Sequence, residues 1–361
     1  MTGQTEGAIP AAWLAAALDP PRAGGSPPAS GRLRDAPEDF RVDERLSFEP
    51  DGGAAHLLLR VEKADANTLY VARALARFGG VRPADVGFAG LKDRRARAIQ
   101  WFSVPATTSA ADWPSCAQEG FRVLEVHPHS RKLKRGALSG NRFVITVRGL
   151  TGDMAALEAR LARLGAEGAP NYFGPQRFGR EAGNLAAVDR WLASGTLPRD
   201  RDQRGFLISA ARSLAFNSVL AARVADGSWN RLLPGEVVNL AGSGSVFRAE
   251  VIDAVLEKRC LERDVHPTGP LPGRGGLPPA GEAAGIEARA LEPLASLLVA
   301  LVAAGVDAAR RPLRVVPDGL EWRVDGDALT VVFALPKGAF ATAVLREAVE
   351  GDAGALPGDD E

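Results

Sequence analysis

Apolar and polar side chains first alternate in earnest at Phe40-Arg41-Val42-Asp43-Glu44, the period of a half-buried strand. Residues 56–61 have the continuous apolar centre of a deeper strand, and Pro50-Asp51-Gly52-Gly53 between the two marks a turn. Asn67 then caps a predicted helix in which Leu69, Ala72, Leu75, Ala76 and Phe78 share one face, closed by Gly79-Gly80. Residues 86–104 read as strand, tight basic loop, strand. Two more strands follow at 122–126 and 143–147, then an amphipathic helix at 154–164. The order strand, helix, strand, strand, strand, helix predicts an α+β domain on a mixed, mostly antiparallel sheet.

The pattern changes near Asn171. Helical spacing dominates at 185–193, 209–224 and 291–304, with a polar Gly/Pro-rich stretch at 265–279 read as a loop. Strand alternation returns at 320–324 and 328–335, joined across Asp325-Gly326-Asp327 as a hairpin, and residues 339–349 form a closing helix packed against it. On this reading the ending belongs to the first domain's sheet and the middle is a helix-rich insertion. Residues 1–30, rich in Ala, Pro and Gly, offer no pattern to fold on and are expected to be a flexible entry, with structure beginning near Gly31. No repeat of solenoid period is visible.

Composition adds bounds. With 361 residues, 46% of them hydrophobic, the chain suits two domains better than one. Cys116 and Cys260 form neither a disulfide framework nor a paired-thiolate metal spacing, so a reducing compartment is expected. The start lacks the basic-then-apolar layout of a secretory signal, and the greasy run at 294–306 is too short to span a bilayer. The cytoplasm, with no membrane partner, is the expected location. The 44 basic and 44 acidic residues cancel, yet residues 126–152 hold no acidic side chain and carry Arg131, Lys132, Lys134, Arg135, Arg142 and Arg148. What steers a polyanion is the potential of one face, not the sum over the chain.

The familiar catalytic signatures are missing. Of the four histidines only His127 and His129 are close in sequence, without a third ligand at metal spacing. There is no nucleophile elbow, phosphate loop or dinucleotide fingerprint, and Gly242-Ser243-Gly244-Ser245 is a bare turn. Three stretches remain. In Gly87-Phe88-Ala89-Gly90-Leu91-Lys92-Asp93-Arg94-Arg95-Ala96-Arg97, one carboxylate stands among cations. Asp93 can be a turn cap or surface ion pair, the ordinary fate of such a loop residue; the other reading is a carboxylate kept ionised by its neighbours, a poor general acid and a competent nucleophile. The basic run Arg131-Lys132-Leu133-Lys134-Arg135 leads into Gly140-Asn141-Arg142-Phe143, where an amide and an aromatic ring could engage an unstacked base while the cations hold its backbone. The third, residues 171–180, mixes Tyr172, Phe173 and Phe178 with Arg177 and Arg180, and suits a packing hinge as well as an RNA contact.

Together these motifs resemble the TruD family of pseudouridine synthases. The resemblance rests on Pro37-Glu38-Asp39-Phe40, Gly90-Leu91-Lys92-Asp93 with Gln100 downstream, the basic run into Gly140-Asn141-Arg142-Phe143, and Asn171-Tyr172-Phe173-Gly174-Pro175-Gln176-Arg177-Phe178-Gly179. It extends to His266-Pro267-Thr268-Gly269-Pro270-Leu271 and Leu335-Pro336-Lys337-Gly338-Ala339-Phe340-Ala341-Thr342, in the family's order over nearly the whole chain.

The resemblance implies a pseudouridine synthase catalytic domain at 31–168 and 317–350, a TRUD insertion domain at 169–316, and flexible ends at 1–30 and in the acidic tail 351–361. It implies isomerisation of uridine in RNA, most typically uridine-13 of transfer RNA, with no cofactor, no metal and no obligatory protein partner. Asp93 matches the essential aspartate. Phe40, Asn141 and Phe143 match substrate-site positions, Arg34 stands where the family often has Lys, and Lys92 and Arg34 are candidates to keep Asp93 ionised. Gln100 joins the substrate-binding set; Arg131, Lys132, Lys134, Arg135 and Arg177 form the RNA-binding set. The competing classes are a synthase acting on another RNA, a non-catalytic RNA-binding module, and an RNA glycosidase.

Overall fold

A computed structural model describes residues 9–107 and 110–352. The chain divides into two compact units. One gathers Pro28–Gly165, Pro317–Ala341 and the described residues from Ala348; the other gathers the described residues up to Pro27, Ala166–Val316 and Thr342–Glu347.

The chain enters through helix α1 (Ala11–Leu18), then runs β1 (Ala29–Leu33), β2 (Phe40–Leu46), β3 (His56–Ala64), α2 (Thr68–Phe78), β4 (Gly87–Phe88) and β5 (Arg97–Pro105). It continues with β6 (Ala117–Gln118), β7 (Phe121–His129), β8 (Leu138–Gly152) and α3 (Met154–Glu167). The middle contributes β9 (Ala169–Pro170), α4 (Gly183–Ser194), α5 (Arg201–Ala225), β10 (Glu236–Leu240), β11 (Val246–Ala249) and α6 (Ala254–Leu261). It ends with β12 (Val265–Leu271), α7 (Gly281–Leu291), α8 (Ala295–Ala303), β13 (Ala309–Pro312) and β14 (Arg314–Val315). The chain returns as β15 (Asp318–Asp325), β16 (Ala328–Pro336), α9 (Ala341–Leu345) and β17 (Val349–Asp352).

In the first unit one 11-stranded sheet runs β15-β16-β8-β2-β5-β3-β7-β6, with β1 beside β8, β17 beside β1 and β4 beside β5. Its ladders are antiparallel except for β2 with β5 and β1 with β17, the mixed, mostly antiparallel sheet that the alternation predicts. The returning hairpin enters the sheet through β16, which pairs with β8 from Leu329 opposite Val147 to Pro336 opposite Gly140. On one face Leu57, Leu59 and Val61 of β3 and Phe102 and Val104 of β5 bury against Val71 and Leu75 of α2. Each such side chain contributes roughly 1.5–3 kcal/mol on burial. Helix α2 begins where Asn67 Oδ1 accepts from Leu69 N at 2.8 Å, as the capping pattern requires.

The second unit is helix-rich and also contains a four-stranded sheet, β11-β10-β12-β13. Its centre is α5, a helix long and apolar enough for a membrane span, of which Leu207, Leu214, Phe216 and Leu220 are buried within the protein while Phe206 is exposed.

Four expectations are corrected. The entry is ordered over its described residues: α1 buries Trp13, Ala16 and Ala17, and Asn217 donates to Ala16 O at 3.0 Å. Arg346 donates to Pro20 O at 2.8 Å and Glu347 accepts from Ala23 N at 2.9 Å, so partners remote in sequence supply what local pattern lacks. Residues 265–271 are a strand, not part of a loop; Pro267 and Pro270 cannot donate to the ladder, but Pro267 O still accepts from Leu313 N at 2.9 Å. The helix expected at 291–304 is only α8, since Pro293 lies in a 3₁₀ turn at Glu292–Leu294 that separates it from α7, which ends at Leu291. The closing helix is only α9, after which β17 pairs in parallel with β1. Residues 351–352 of the expected tail lie in that strand, while 1–8 and 353–361 fall outside the described residues.

Candidate active site

The site grows from one sheet face. Residues directly opposite on neighbouring strands point the same way. Phe40, Val42 and Glu44 on β2 stand opposite Ile145, Phe143 and Asn141 on β8, and Val42 stands opposite Ala98 on β5. Two residues on, Gln100 shares that face, and Lys63 and Val61 of β3 stand opposite Ala98 and Gln100. Most of this face is apolar core. Where it turns polar, at Glu44, Lys63 and Gln100, the side chains are buried and grip the loop at 90–93.

Gln100 Nε2 donates to Gly90 O at 2.6 Å, and Gln100 Oε1 accepts from Thr68 Oγ1 at 3.0 Å. The same Thr68 oxygen accepts from Lys92 N at 3.1 Å. Lys63, wholly buried, donates to Ala66 O at 2.7 Å, to Asp93 O at 2.8 Å and to Lys92 O at 3.4 Å. The Lys92 ammonium pairs with buried Glu44, whose other oxygen accepts from Trp101 N at 3.2 Å. Every residue from Lys92 to Asp93 is thus fixed by backbone and side chain together.

Asp93 is held by Arg34, whose Nη2 donates to Oδ2 at 2.9 Å. The Asp93 side chain keeps 44% of its surface exposed against 16% for Arg34, so the carboxylate remains approachable while its counter-ion is sheltered. Arg34 follows β1 with φ of 62°, a left-handed backbone that costs a non-glycine residue about 1–2 kcal/mol. Its guanidinium lies 4.1 Å from the Phe40 ring centre, and Phe40 meets Phe143 edge-on at 6.1 Å. Asn141 Oδ1 is buried without a hydrogen-bond partner among the described residues, a group left ready for a donor. Gly140 before it carries no side chain because a Cβ would collide with Leu335 O on β16.

The basic run packs on β4 and Ala89, which lead into that loop. A Cβ on Gly87 would collide with Leu133 O, and Gly136 N donates to Ala89 O at 2.7 Å, so the two motifs are in direct contact. Arg135 stacks 4.2 Å above the Phe88 ring, while Lys132 donates to Ala84 O. Arg131, Lys132, Lys134 and Arg135 are all exposed.

Several expectations shift. Lys92 balances Glu44, leaving the side-chain pairing of Asp93 to Arg34. Gln100 is buried and occupied by the loop, so it acts as an anchor and not as a substrate contact. Arg148, one of the cations of the acid-free stretch 126–152, grips buried Asp39 through three hydrogen bonds, which hold the Asp39 carboxyl below its ordinary range. Arg177 lies in the other unit, largely enclosed beside Phe173 and Ser209, where desolvation lowers its pKa. His127 pairs with Glu125, His129 with Asp51 and His266 with Arg314, and no group of metal-ligating side chains occurs among the described residues.

Glu44, Lys63 and Thr68 escaped the sequence reading. The signal was present for the first two: Glu44 falls on the inward period of Phe40 and Val42, and Lys63 on that of Leu57, Leu59 and Val61. A charge on an inward strand position must be paired, and that demand points to a built polar site. Thr68 carried no such signal.

A family model described as tRNA pseudouridine synthase D (TruD) matches residues 23–200 and 191–348. A relative named tRNA pseudouridine synthase D from Methylococcus capsulatus (strain Bath) is 46% identical over 336 residues, covering 92% of this chain and 95% of the relative. One of the same name from Nitrosococcus oceani is 46% identical over 331 residues, covering 90% and 92%. A solved structure from Methanosarcina mazei that carries the TruD name shares the fold with a TM-score of 0.70 at 22% identity, covering 94% of this chain and 98% of that one. The motifs around Asp93, the strand order that gathers them, and a match running through both units agree: this chain belongs to the TruD family.

Proposed function

We propose that this chain isomerises uridine to pseudouridine in transfer RNA, at uridine-13, with Asp93 as the essential carboxylate. The observation that carries the reading is the Asp93–Arg34 pair at 2.9 Å, an approachable carboxylate on a loop fixed from behind. The name shared by the curated relatives supplies the reaction and the substrate class.

The target uridine leaves its stack, at a cost of a few kcal/mol, and enters beside Phe40 and Phe143. The N1–C1′ bond breaks, the base turns while bound, and a C5–C1′ bond forms; C5 gives up its proton and N1 gains one, so composition is unchanged. Asp93 acts at the sugar, either by attack on C1′ as N1 leaves, its bond breaking again as C5 attacks, or by taking a sugar proton that is returned once the C5–C1′ bond has formed. Arg34 pairs with it and holds it aimed, and Asn141 accepts a base or sugar donor. The exposed Arg131, Lys132, Lys134 and Arg135 meet phosphate.

The test is incubation with a transfer RNA transcript tritiated at uridine C5. Isomerisation releases tritium and leaves every base attached. Free uracil would identify a glycosidase, and binding without tritium release would identify an RNA-binding module; either result overturns the reading.

A further inference from the structure

Helix α2 has a second side that the proposed chemistry does not use. Its apolar side, with Val71, Ala72, Leu75 and Ala76, is buried, and its first turn serves the site, where Thr68 accepts from Lys92 N at 3.1 Å, one residue before Asp93. The side turned to solvent carries Tyr70, Arg73 and Arg77, spaced three and four residues apart and so on one stripe. Past the end of α2, Lys132 of the basic run donates to Ala84 O in the 3₁₀ turn at Pro83–Asp85. One short segment of chain thus touches the Asp93 loop at its start and the basic run at its end, with the stripe between.

The stripe is positive and unanswered. No acidic residue occurs from Ala66 to Ala84. The acids at either end are taken, Asp65 by Arg94 at 3.3 Å and Asp85 by Arg82 at 2.9 Å. Arg73 and Arg77 meet no carboxylate among the described residues. Arg77 stands in the last turn, where the helix dipole by itself favours a cation, but Arg73 is mid-helix and has no such reason to be basic. Like charges four residues apart on a helix repel, and an external anion relieves that repulsion. Tyr70 keeps 41% of its surface exposed, and its ring stands nearly perpendicular to that of Phe121 at 6.3 Å, which braces it. A braced, exposed ring in line with two free guanidiniums is what a single RNA strand needs: a face on which to stack a base, and cations for its backbone.

We infer that the face of α2 formed by Tyr70, Arg73 and Arg77 is a further RNA-docking surface, beside the basic run at 131–135. Arg73 and Arg77 take two backbone phosphates, and Tyr70, at the end of the helix that holds the Asp93 loop, stacks on a base of the same strand. The partner is the transfer RNA of the proposed function, on which this inference rests.

Equilibrium binding of the full chain to a transfer RNA transcript and to oligouridylate, each across a salt series, tests this. The variants are R73Q/R77Q, Y70A, Y70F and, as a control, R163Q on α3, all at exposed positions. R73Q/R77Q should make the slope of log affinity against log salt shallower by about 1.4–1.8, as for two lost phosphate contacts, and raise KM for pseudouridine formation without lowering kcat. Y70A should weaken binding about fivefold or more with its slope unaltered, whereas Y70F, which keeps the ring, should not. R163Q should leave the slope unchanged. Wild-type slopes in R73Q/R77Q with both RNAs would overturn the surface, and so would an equal fall per charge removed in R163Q, which would reduce the effect to net charge. A slope lowered for oligouridylate alone would overturn the assignment to transfer RNA. If wild type binds both RNAs and forms no pseudouridine, the proposed function falls while the slopes still judge the α2 face.

Discussion

Arg34 concentrates the electrostatics of the site in one side chain. It donates to Asp93, lies over Phe40 and accepts a left-handed backbone to do both. Replacing it with Ala removes the counter-ion and one wall of the base site together. Arg34→Ala should lower kcat at least tenfold, about 1.4 kcal/mol or more in barrier, while transfer RNA affinity, set by the exposed cations elsewhere, changes little. Steady-state kinetics beside equilibrium binding checks this. A matching loss in affinity would instead make Arg34 a phosphate contact. Arg34→Lys should retain part of the rate, since a point charge reaches the carboxylate but lacks the planar stack.

At the scale of elements, the loop at 90–93 is rigid because β2, β3, β5 and the start of α2 each send it one polar side chain. Lys63→Met takes donors from the carbonyls of Ala66, Lys92 and Asp93 at once. The expected loss is about 2–3 kcal/mol by chemical denaturation, with a fall in kcat larger than any change in KM. Unaltered kcat in the folded variant would show that the loop needs no such brace. In β12, His266 accepts from Arg314 through Nδ1 at 3.2 Å, and burial, with the Arg314 charge next, lowers it to about 4 from 6.5. Native His266 is neutral where the unfolded residue takes up a proton. Its contribution is thus present above pH 6.5 and lost as pH falls towards 4, on the order of 3 kcal/mol. Stability against pH for wild type and His266→Gln tests this; parallel curves through that window would contradict it. Elements with a clean period were legible: β2, α2 and the hairpin of β15 and β16 stand close to where alternation and caps put them. Those whose partners lie far away in sequence were not, since α1 depends on Asn217 and the turn after α9 on residues 19–24. Asp93 was readable from its motif, whereas the cage of Glu44, Lys63 and Thr68 exists only once strand register is known.

For the whole molecule, a net charge of zero conceals a functional asymmetry. Many charges are consumed internally, Arg148 by Asp39, Arg97 and Arg122 by Glu62, Arg60 by Asp43 and Glu125. The exposed residues Arg131, Lys132, Lys134 and Arg135 belong to the run that packs on β4, just before the loop that carries Asp93. Lys132→Ala with Lys134→Ala should weaken transfer RNA binding and flatten its salt dependence by about one to two units of slope. An unchanged slope would remove these lysines from the phosphate path.

The central claim is that Asp93 performs the isomerisation and is not merely a support for RNA binding. It is tested most directly by assaying pseudouridine at uridine-13 of a transfer RNA transcript with wild type and Asp93→Asn, beside binding of the same transcript. Wild type should give product and Asp93→Asn none, with affinities within a few-fold of each other. Pseudouridine formed at the wild-type rate by Asp93→Asn would contradict it.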